Sequence, residues 1–473
     1  MMEIPCGMQE QFLEAKELIE SSNDIKIYTH TDCDGICSGA ILSIILDRLN
    51  KDYEIEFVNL DEIEDLDLDH KLTIFSDLGS GQGVDKNAKD GQKILIIDHH
   101  PPLRDINYKN DKAYTYLEIN PMFYGIDGSY YVCGGGLCYF LAKTFGFKDL
   151  SWIGVLSAIG DMQNNKTGHF EGLNEIIQED AINEGLLKVT KNDLNIYGRS
   201  TRPLYVALSY FSDVKLPTTN NQQEAKVVLE ELGVDEKHNR KTLSEVTEED
   251  KMEIKKFLSR MISKRVPPKY LKYVPKLIVG DAYTFLNEEE GSFLRDGSEF
   301  STAMNACGRN RKEAIGVDII KGDRLVALDA LEEVSKTHKY NLATSISKVA
   351  DNYHSEIIEL DNFQYFDCSD FDEDIASNII GTITGMVLGY CNWKKPILGF
   401  SKPKNNQIKV SLRCSKLLAY DGIHFGNMMR EIAKEVGGTG GGHAIACGAY
   451  IPNEKKSEFL DKFNRKLQGK IAN

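Results

Sequence analysis

Through the first third of the chain, short runs of β-branched and aromatic residues alternate with stretches whose apolar positions recur at helical spacing. The runs are Ile25–Thr29, Tyr53–Leu60, Leu72–Ser76 and Lys93–Ile97. Their nearly continuous apolar character predicts strands of a parallel α/β sheet covered by helices on both faces. From about Glu171 to Pro275 the pattern turns helical and charged, broken at Thr201-Arg202-Pro203 and again at Pro267-Pro268, which predicts an all-helical insert. Strand-like character returns at Tyr273–Val279 and Ala314–Ile320, and a last α/β unit runs from about Asn352 onward. The domains this predicts are a first α/β domain over 1–175, a helical insert over 176–275, a return to the first domain with a connector over 276–350, and a C-terminal α/β domain over 351–473.

Composition agrees with a globular chain of two or three domains: of 473 residues, 41% are hydrophobic and 27% charged, without repeats or low-complexity tracts. Met1–Ser22 mixes glutamates with apolar residues at helical spacing, unlike a secretory signal, and no stretch reaches the roughly 18 apolar residues of a membrane span. A cytoplasmic protein without a membrane partner is expected. The ten cysteines include no Cys-x-x-Cys pair, the nearest spacings being Cys33 to Cys37 and Cys133 to Cys138, so they read as reduced core residues. The net charge of −16 argues against a nucleic-acid partner, but its distribution does not. From Ser401 to Asn473 thirteen Lys and Arg face six Asp and Glu, and Lys251–Lys276 is a second basic island. Either is a phosphate-binding surface or an ordinary solvated face.

Three of the predicted strands run directly into ionisable clusters. Ile25–Thr29 leads to His30, Asp32 and Asp34; Leu72–Ser76 leads to Asp77; Lys93–Ile97 leads to Asp98, His99 and His100. Asp161 follows an amphipathic stretch that reads as a helix ending at Gly160. Ligands of open α/β sheets bind beyond the carboxyl ends of the strands, so a site is expected there. One aspartate at a strand end reads better as a helix cap or turn residue. The full set would repel itself strongly unless cations lay between its members, and two divalent ions about 3.5–4 Å apart are the economical answer. Oxygen and imidazole ligands without thiolate favour manganese, with magnesium or cobalt as substitutes.

His30-Thr31-Asp32-Cys33-Asp34-Gly35, Ser76-Asp77-Leu78-Gly79, Asp98-His99-His100-Pro101-Pro102 and Gly160-Asp161 resemble, in order, the four motifs of the DHH phosphoesterases. Asn305-Ala306-Cys307-Gly308-Arg309 is similar to an element of RecJ-type exonucleases. Ser411-Leu412-Arg413 and Gly440-Gly441-Gly442-His443 are similar to the DHH-associated C-terminal domain. The likeness to archaeal RecJ-like proteins, including the GINS-associated nuclease type, covers most of the chain. It implies a parallel-sheet DHH domain with a helical insert and a C-terminal α/β DHH-associated domain that binds substrate.

By position, the resemblance implies that His30, Asp32 and Asp77 hold one metal and that Asp34, Asp77, His99 and Asp161 hold the other, with Asp77 shared. Asp98 would orient a ligand imidazole, and His100 would face the scissile phosphate. Asn305 and Arg309 would contact substrate together with Ser411, Arg413, Gly440, Gly441, Gly442 and His443, with Ser411 and Arg413 gripping a terminal phosphate. The glycine run alone reads equally as a tight turn before a helix. Gly134–Gly136 reads as helix packing or a turn, and Tyr130, Tyr131 and Tyr139 as base-stacking or packing residues.

The activity so implied is exonucleolytic hydrolysis of single-stranded nucleic acid, 5′ to 3′ on DNA, in replication or repair. The alternatives are a 3′ to 5′ RNA exonuclease, a hydrolase of short oligonucleotides or cyclic dinucleotides, and a replisome scaffold associated with GINS. A scaffold subunit of the same ancestry has lost its metal ligands, whereas here each expected ligand position is filled. The insert, with Lys255, Lys256, Arg260, Lys264 and Arg265 at its basic end, is expected to serve long strands or a partner protein.

Overall fold

The structure, a computed structural model, describes residues 2–471 apart from 61, 64–65, 110–112, 235–240, 351–355 and 370–372. The expected start of the last domain, at 351–352, lies outside the described residues. The chain divides into two compact units, Met1–Asn192 with Asp281–Ser335 and Asp193–Gly280 with Lys336–Asn473.

In the first unit, β1 (Ile25–His30), β2 (Tyr53–Val58), β3 (Leu72–Ser76), β4 (Lys93–Ile97) and β5 (Thr115–Ile119) form one parallel sheet in the order β2-β1-β3-β4-β5. One face carries Ile25, Ile27, Leu72, Ile74, Leu95 and Ile97. It is covered by helices that include α1 (Cys6–Glu20), α2 (Cys33–Arg48), α3 (Gly134–Thr144), α4 (Ser151–Gly160) and α5 (Leu173–Asn183). The other face, with Tyr28, Phe75, Ile94 and Ile96, packs against Ile63, Leu68, Leu78, Val84 and Ala88. Those residues lie in segments that form no α-helix among the described residues, so helices cover one face and not the expected two. The inner strands β1, β3 and β4 are nonetheless buried on both sides, which is all that their apolar character required, while the edge strand β2 exposes Glu54 and Glu56.

Two short elements differ from expectation. Ala314–Ile320 is part of a helix, Glu313–Ile320. Its apolar residues suit either period, but Gly316 and Val317 with Ile319 and Ile320 turn to the core, Gly316 against Ile36 of α2. Tyr273–Val279 is mostly a helical turn, Val274–Ile278, in which Pro275 takes an early position where proline is well tolerated. The strand begins only at Val279: β7 (Val279–Phe285) pairs with β6 (Leu187–Leu194) where the chain leaves and re-enters the first unit. The insert is therefore not all-helical, and α5 at its start belongs to the core of the first unit through Leu173, Ile177 and Ala181.

The second unit contains a six-stranded sheet of β8 (Ile358–Glu359), β9 (Gln364–Asp367), β10 (Ile397–Phe400), β11 (Gln407–Arg413), β12 (Thr439–Gly442) and β13 (Ala446–Pro452), in the order β12-β13-β11-β10-β9-β8. Helices Phe425–Glu435 and Lys456–Leu467 bury Phe425, Phe459 and Phe463 against one face. The insert does not keep a core of its own, since Trp393 and Leu417 join Leu204, Leu208, Ile254 and Leu258 in a single cluster. All ten cysteines are free, and only Cys6 is exposed. No helix among the described residues is long and apolar enough to cross a membrane.

Candidate metal centre

The strand order of the first sheet reverses between β1 and β3, and crevices at such reversals are where open α/β sheets bind ligands. β1, β3 and β4 end level, Thr29 beside Ser76 and Ser76 beside Ile97, so the residues after each strand meet in one place. His30 closes β1, and its Nδ1 lies 3.1 Å from Asp32 Oδ2 and 3.6 Å from Asp77 Oδ2. Asp32 caps α2 by accepting a hydrogen bond from the Gly35 amide at 3.1 Å. Asp77 has φ of +58°, a left-handed conformation that turns the chain sharply as β3 ends. Its other oxygen, Oδ1, lies 3.2 Å from His99 Nε2. The buried Asp77 carboxylate thus stands between two imidazoles, one oxygen toward each, and neither oxygen accepts a well-formed hydrogen bond.

The second half of the cluster is built around Asp34 and His99. Asp34 accepts hydrogen bonds from the Gly134 and Gly135 amides at 2.8 and 2.7 Å, at the start of α3, and from Ser157 Oγ on α4. His99 Nδ1 lies 2.8 Å from the Gly128 carbonyl, which can only accept. In the neutral ring the proton is thereby fixed on Nδ1, and Nε2, with no hydrogen-bond partner, faces Asp77 and Asp34. Asp161 ends α4 as expected, and its Oδ2 lies 3.8 Å from the His99 ring.

Asp98 does not orient the imidazole expected of it. Its Oδ1 accepts hydrogen bonds from the amides of His99 and His100 and takes the His100 ring Nδ1 at 2.8 Å, so the ring it holds is that of the half-exposed His100. The reason is local: with Asp98 Oδ1 folded back over the turn, the His100 ring is within reach, while His99 turns away to Gly128.

Electrostatics explains what the cluster needs. Burial, and then the charges of Asp34 and Asp32, push the Asp77 carboxyl well above its ordinary pKa, and burial with the charge of Asp161 raises that of Asp34. Asp32 is held low because the charge and hydrogen bond of His30 outweigh its burial. His30 and His99 are raised despite burial by the carboxylates around them. Carboxylates that retain protons beside imidazoles that gain them mark a site short of positive charge. Ligand atoms of His30, Asp32 and Asp77, of Asp34, His99 and Asp161, and of Asp77, Asp98, His99 and His100 each gather within 4.8 Å of one another. With the unsatisfied oxygens of Asp77 and the unsatisfied Nε2 of His99, this donor set fits divalent cations of the hard or borderline kind.

The helix Gly297–Arg309 supports this loop. Asn305 Oδ1 accepts the Cys33 amide at 3.0 Å, which spends that oxygen on the turn into α2, and Arg309 closes the same helix. A Cβ on Gly308 would lie 1.7 Å from the Thr31 carbonyl oxygen, so only glycine fits there. Gly308→Ala is expected to lower folding stability by about 1–3 kcal/mol, the usual range for overpacking; urea denaturation of the metal-free protein checks it.

The remaining expected residues form a separate group in the second unit. Cross-strand register puts Ser411, Gly448 and Gly441 in one row of the C-terminal sheet, with Arg413 beside Ala446 and the His443 amide bonded to the Ala446 carbonyl. Gly440–Gly442 is an edge strand and not a turn before a helix. Arg413 donates to the Leu412 carbonyl at 2.8 Å, and desolvation lowers its pKa. Its side chain runs along Gly381, where a Cβ would lie 2.9 Å from Nη2. Tyr139 is fully buried and donates to Asp180, the packing reading, while Tyr130 and Tyr131 are half-buried.

Several supporting residues escaped the sequence reading. Gly134 and Gly135 of α3, read as packing or a turn, donate amides to Asp34. Ser157 had no signal beyond its place on a helix. Asn120, fully buried, donates to the His100 carbonyl and to Ser80, whose own amide binds Asp98. Gly381 and Gly385 at i, i+4 were a readable sign of close packing on a helix face.

Residues 24–155 match the DHH family N-terminal domain, 196–274 the DHH-CID domain and 361–469 the DHHA1 domain. The uncharacterized protein MJ0831 of Methanocaldococcus jannaschii is 30% identical over 446 residues, 93% of this chain and 92% of that protein. The chain belongs to the DHH superfamily and is RecJ-like. Its fold is similar to that of CDC45 from Entamoeba histolytica, with a TM-score of 0.62 at 15% identity over 98% of this chain and 99% of that one. It is also similar to RecJ from Thermus thermophilus, solved in complex with Mn2+, with a TM-score of 0.54 at 12% identity over 99% of this chain and 55% of that one. The family models give the chain its DHH, DHH-CID and DHHA1 domains, and the two structural likenesses show the shared fold.

Proposed function

We propose that this chain is a two-metal exonuclease that hydrolyses phosphodiester bonds of single-stranded nucleic acid, acting 5′ to 3′ on DNA. The observation that carries the reading is the Asp77 carboxylate, buried between His30 and His99 with both oxygens unsatisfied. A chain kept only as a scaffold has no use for so costly an arrangement. His30, Asp32 and Asp77 would hold one cation, and Asp77, Asp34, His99 and Asp161 the other, with manganese preferred. Two bound divalent cations supply the nucleophile activation and charge neutralisation that in-line displacement at phosphorus requires. Asp98 fixes the His100 ring at the exposed rim, where it can meet a phosphoryl oxygen and stabilise the charge that develops there. In the second unit, Ser411, Arg413 and the Gly440–His443 edge strand would bind the strand end. Arg413 favours this role because it is desolvated, which makes a charge-assisted contact with a phosphate strong.

The test is digestion of end-labelled single-stranded DNA and RNA, with and without a 5′ phosphate, in manganese and in chelator. The expected result is metal-dependent release of mononucleotides from the 5′ end of DNA, faster with the phosphate present. Release from the 3′ end of RNA instead would replace the polarity and substrate, and an inert wild-type protein that binds manganese would overturn the enzymatic reading.

The likeness to CDC45 supports a second reading that is compatible with catalysis, a replisome-associated role with GINS as partner. The insert is the surface to examine. Of its basic residues, Lys251 is buried against Asp193 and Glu248, and Lys256 pairs with Glu253, which leaves less free positive charge for a phosphate backbone than the sequence suggests. Co-purification of GINS with the full chain tests the partnership directly.

A further inference from the structure

α4 ends in an arrangement that the metal ligands alone do not explain. Asp161 is the cap, Met162 follows with φ of +56°, and the amides of Met162 and Gln163 fold back onto the carbonyls of Ile159 and Ala158. This is the Schellman closure of a helix, which normally places glycine at the left-handed position. A methionine there is strained by about 1–2 kcal/mol, and strain of this kind persists only where the surroundings fix it. What the turn delivers is the side chain of Gln163, 2% exposed.

Both hydrogens of the Gln163 amide are used, and both go to the metal centre. Nε2 donates to the Gly128 carbonyl at 2.8 Å and to Asp161 Oδ2 at 2.6 Å. The first acceptor is the carbonyl that also fixes the His99 ring, and the second is itself a carboxylate of the ligand set. Gln163 Oε1 accepts from Asn174 Nδ2 at 2.9 Å, so the amide cannot turn over without setting two donors against each other. Asn174, on α5, also binds the Tyr131 carbonyl through its backbone amide, which ties down the loop that carries Gly128.

We infer that Gln163 is a positioning residue that clamps His99 and Asp161 in ligand geometry, with Asn174 setting the orientation of its amide. The inference rests on the two-metal reading and adds the group that organises one of its two sites. Outer hydrogen-bonding partners of metal ligands typically contribute about ten- to hundredfold to metal affinity.

The experiment is titration of the full-length metal-free protein with manganese, followed by calorimetry and by the electron paramagnetic resonance signal of free ion. Gln163→Met fills the same space without donors, and its weaker manganese site is expected to lose about ten- to hundredfold in affinity while the other changes little. Asn174→Asp replaces a donor by an acceptor of the same shape, which forces the Gln163 amide over, and it should weaken the same site even if Gln163→Met folds poorly. Wild-type affinity at both sites in either folded variant overturns the clamp. A wild-type protein that binds no manganese is a different result, because it removes the metal centre on which the clamp acts.

Discussion

Asp77→Asn should abolish divalent-dependent hydrolysis, with a loss of roughly a thousandfold or more, since on the two-metal reading one substitution replaces a carboxylate oxygen by an amide nitrogen and removes the negative charge that both cation sites would share. Among the described residues the Asp77 carboxylate groups with His30 and Asp32 on one side and with His99 on the other, one oxygen toward each imidazole. The folded protein should not suffer. Burial and the neighbouring carboxylates raise the Asp77 pKa, so its ionised form costs stability when no metal is present, and the neutral amide removes that cost. The metal-free variant is therefore expected to melt no lower than the wild type at neutral pH, while manganese titration shows both sites weakened. Full activity in a correctly folded Asp77→Asn would show that the shared carboxylate does not serve two cations.

Arg413→Ala is expected to weaken binding of a 5′-phosphorylated strand by roughly thirty- to a hundred-and-fifty-fold, the worth of a desolvated charge-assisted contact of about 2–3 kcal/mol. Metal content should stay at the wild-type level, because Arg413 and the cluster lie in different units of the chain. The same strand lacking its 5′ phosphate should lose much less. Fluorescence anisotropy with the two strands on one metal-loaded sample separates these outcomes. An equal loss for both strands would make Arg413 a general backbone contact, and an unchanged affinity would leave the β11 end without a role in substrate binding. Because the side chain lies along Gly381, Arg413→Lys keeps the charge but not the planar fork, and partial recovery is expected there.

The parts of this protein that could be read in advance are those where chemistry follows directly on a strand. His30, Asp32, Asp34, Asp77, Asp98, His99 and His100 each sit within a few residues of an apolar run, and parallel register brings them together without further information. What could not be read is what holds them. Gly134, Gly135 and Ser157 reach the cluster from helices far along the chain and Gln163 from the turn after one, and a backbone amide or a buried amide side chain carries no sequence pattern of its own. The same limit explains the mistaken role of Asp98, since adjacent histidines cannot be told apart until the turn between them is seen. Periodicity failed where a run was short enough to suit two geometries, as at Ala314–Ile320, and where a strand was mostly polar, as at β6.

The alternation of segments between the two units has a consequence for the order in which the protein can be made. As the chain emerges from the ribosome, the sheet with its aspartates is complete by about residue 119, yet the helix that seats Asn305 against Cys33 arrives only after the whole insert. The insert in turn waits for Trp393 and Leu417 before its apolar side is closed. Each unit therefore begins before the other can finish, and residues 193–280 must pass through a period with exposed apolar surface during synthesis. Until Trp393 and Leu417 are made, that apolar surface is open to wrong contacts, the hazard common to domains built from distant segments.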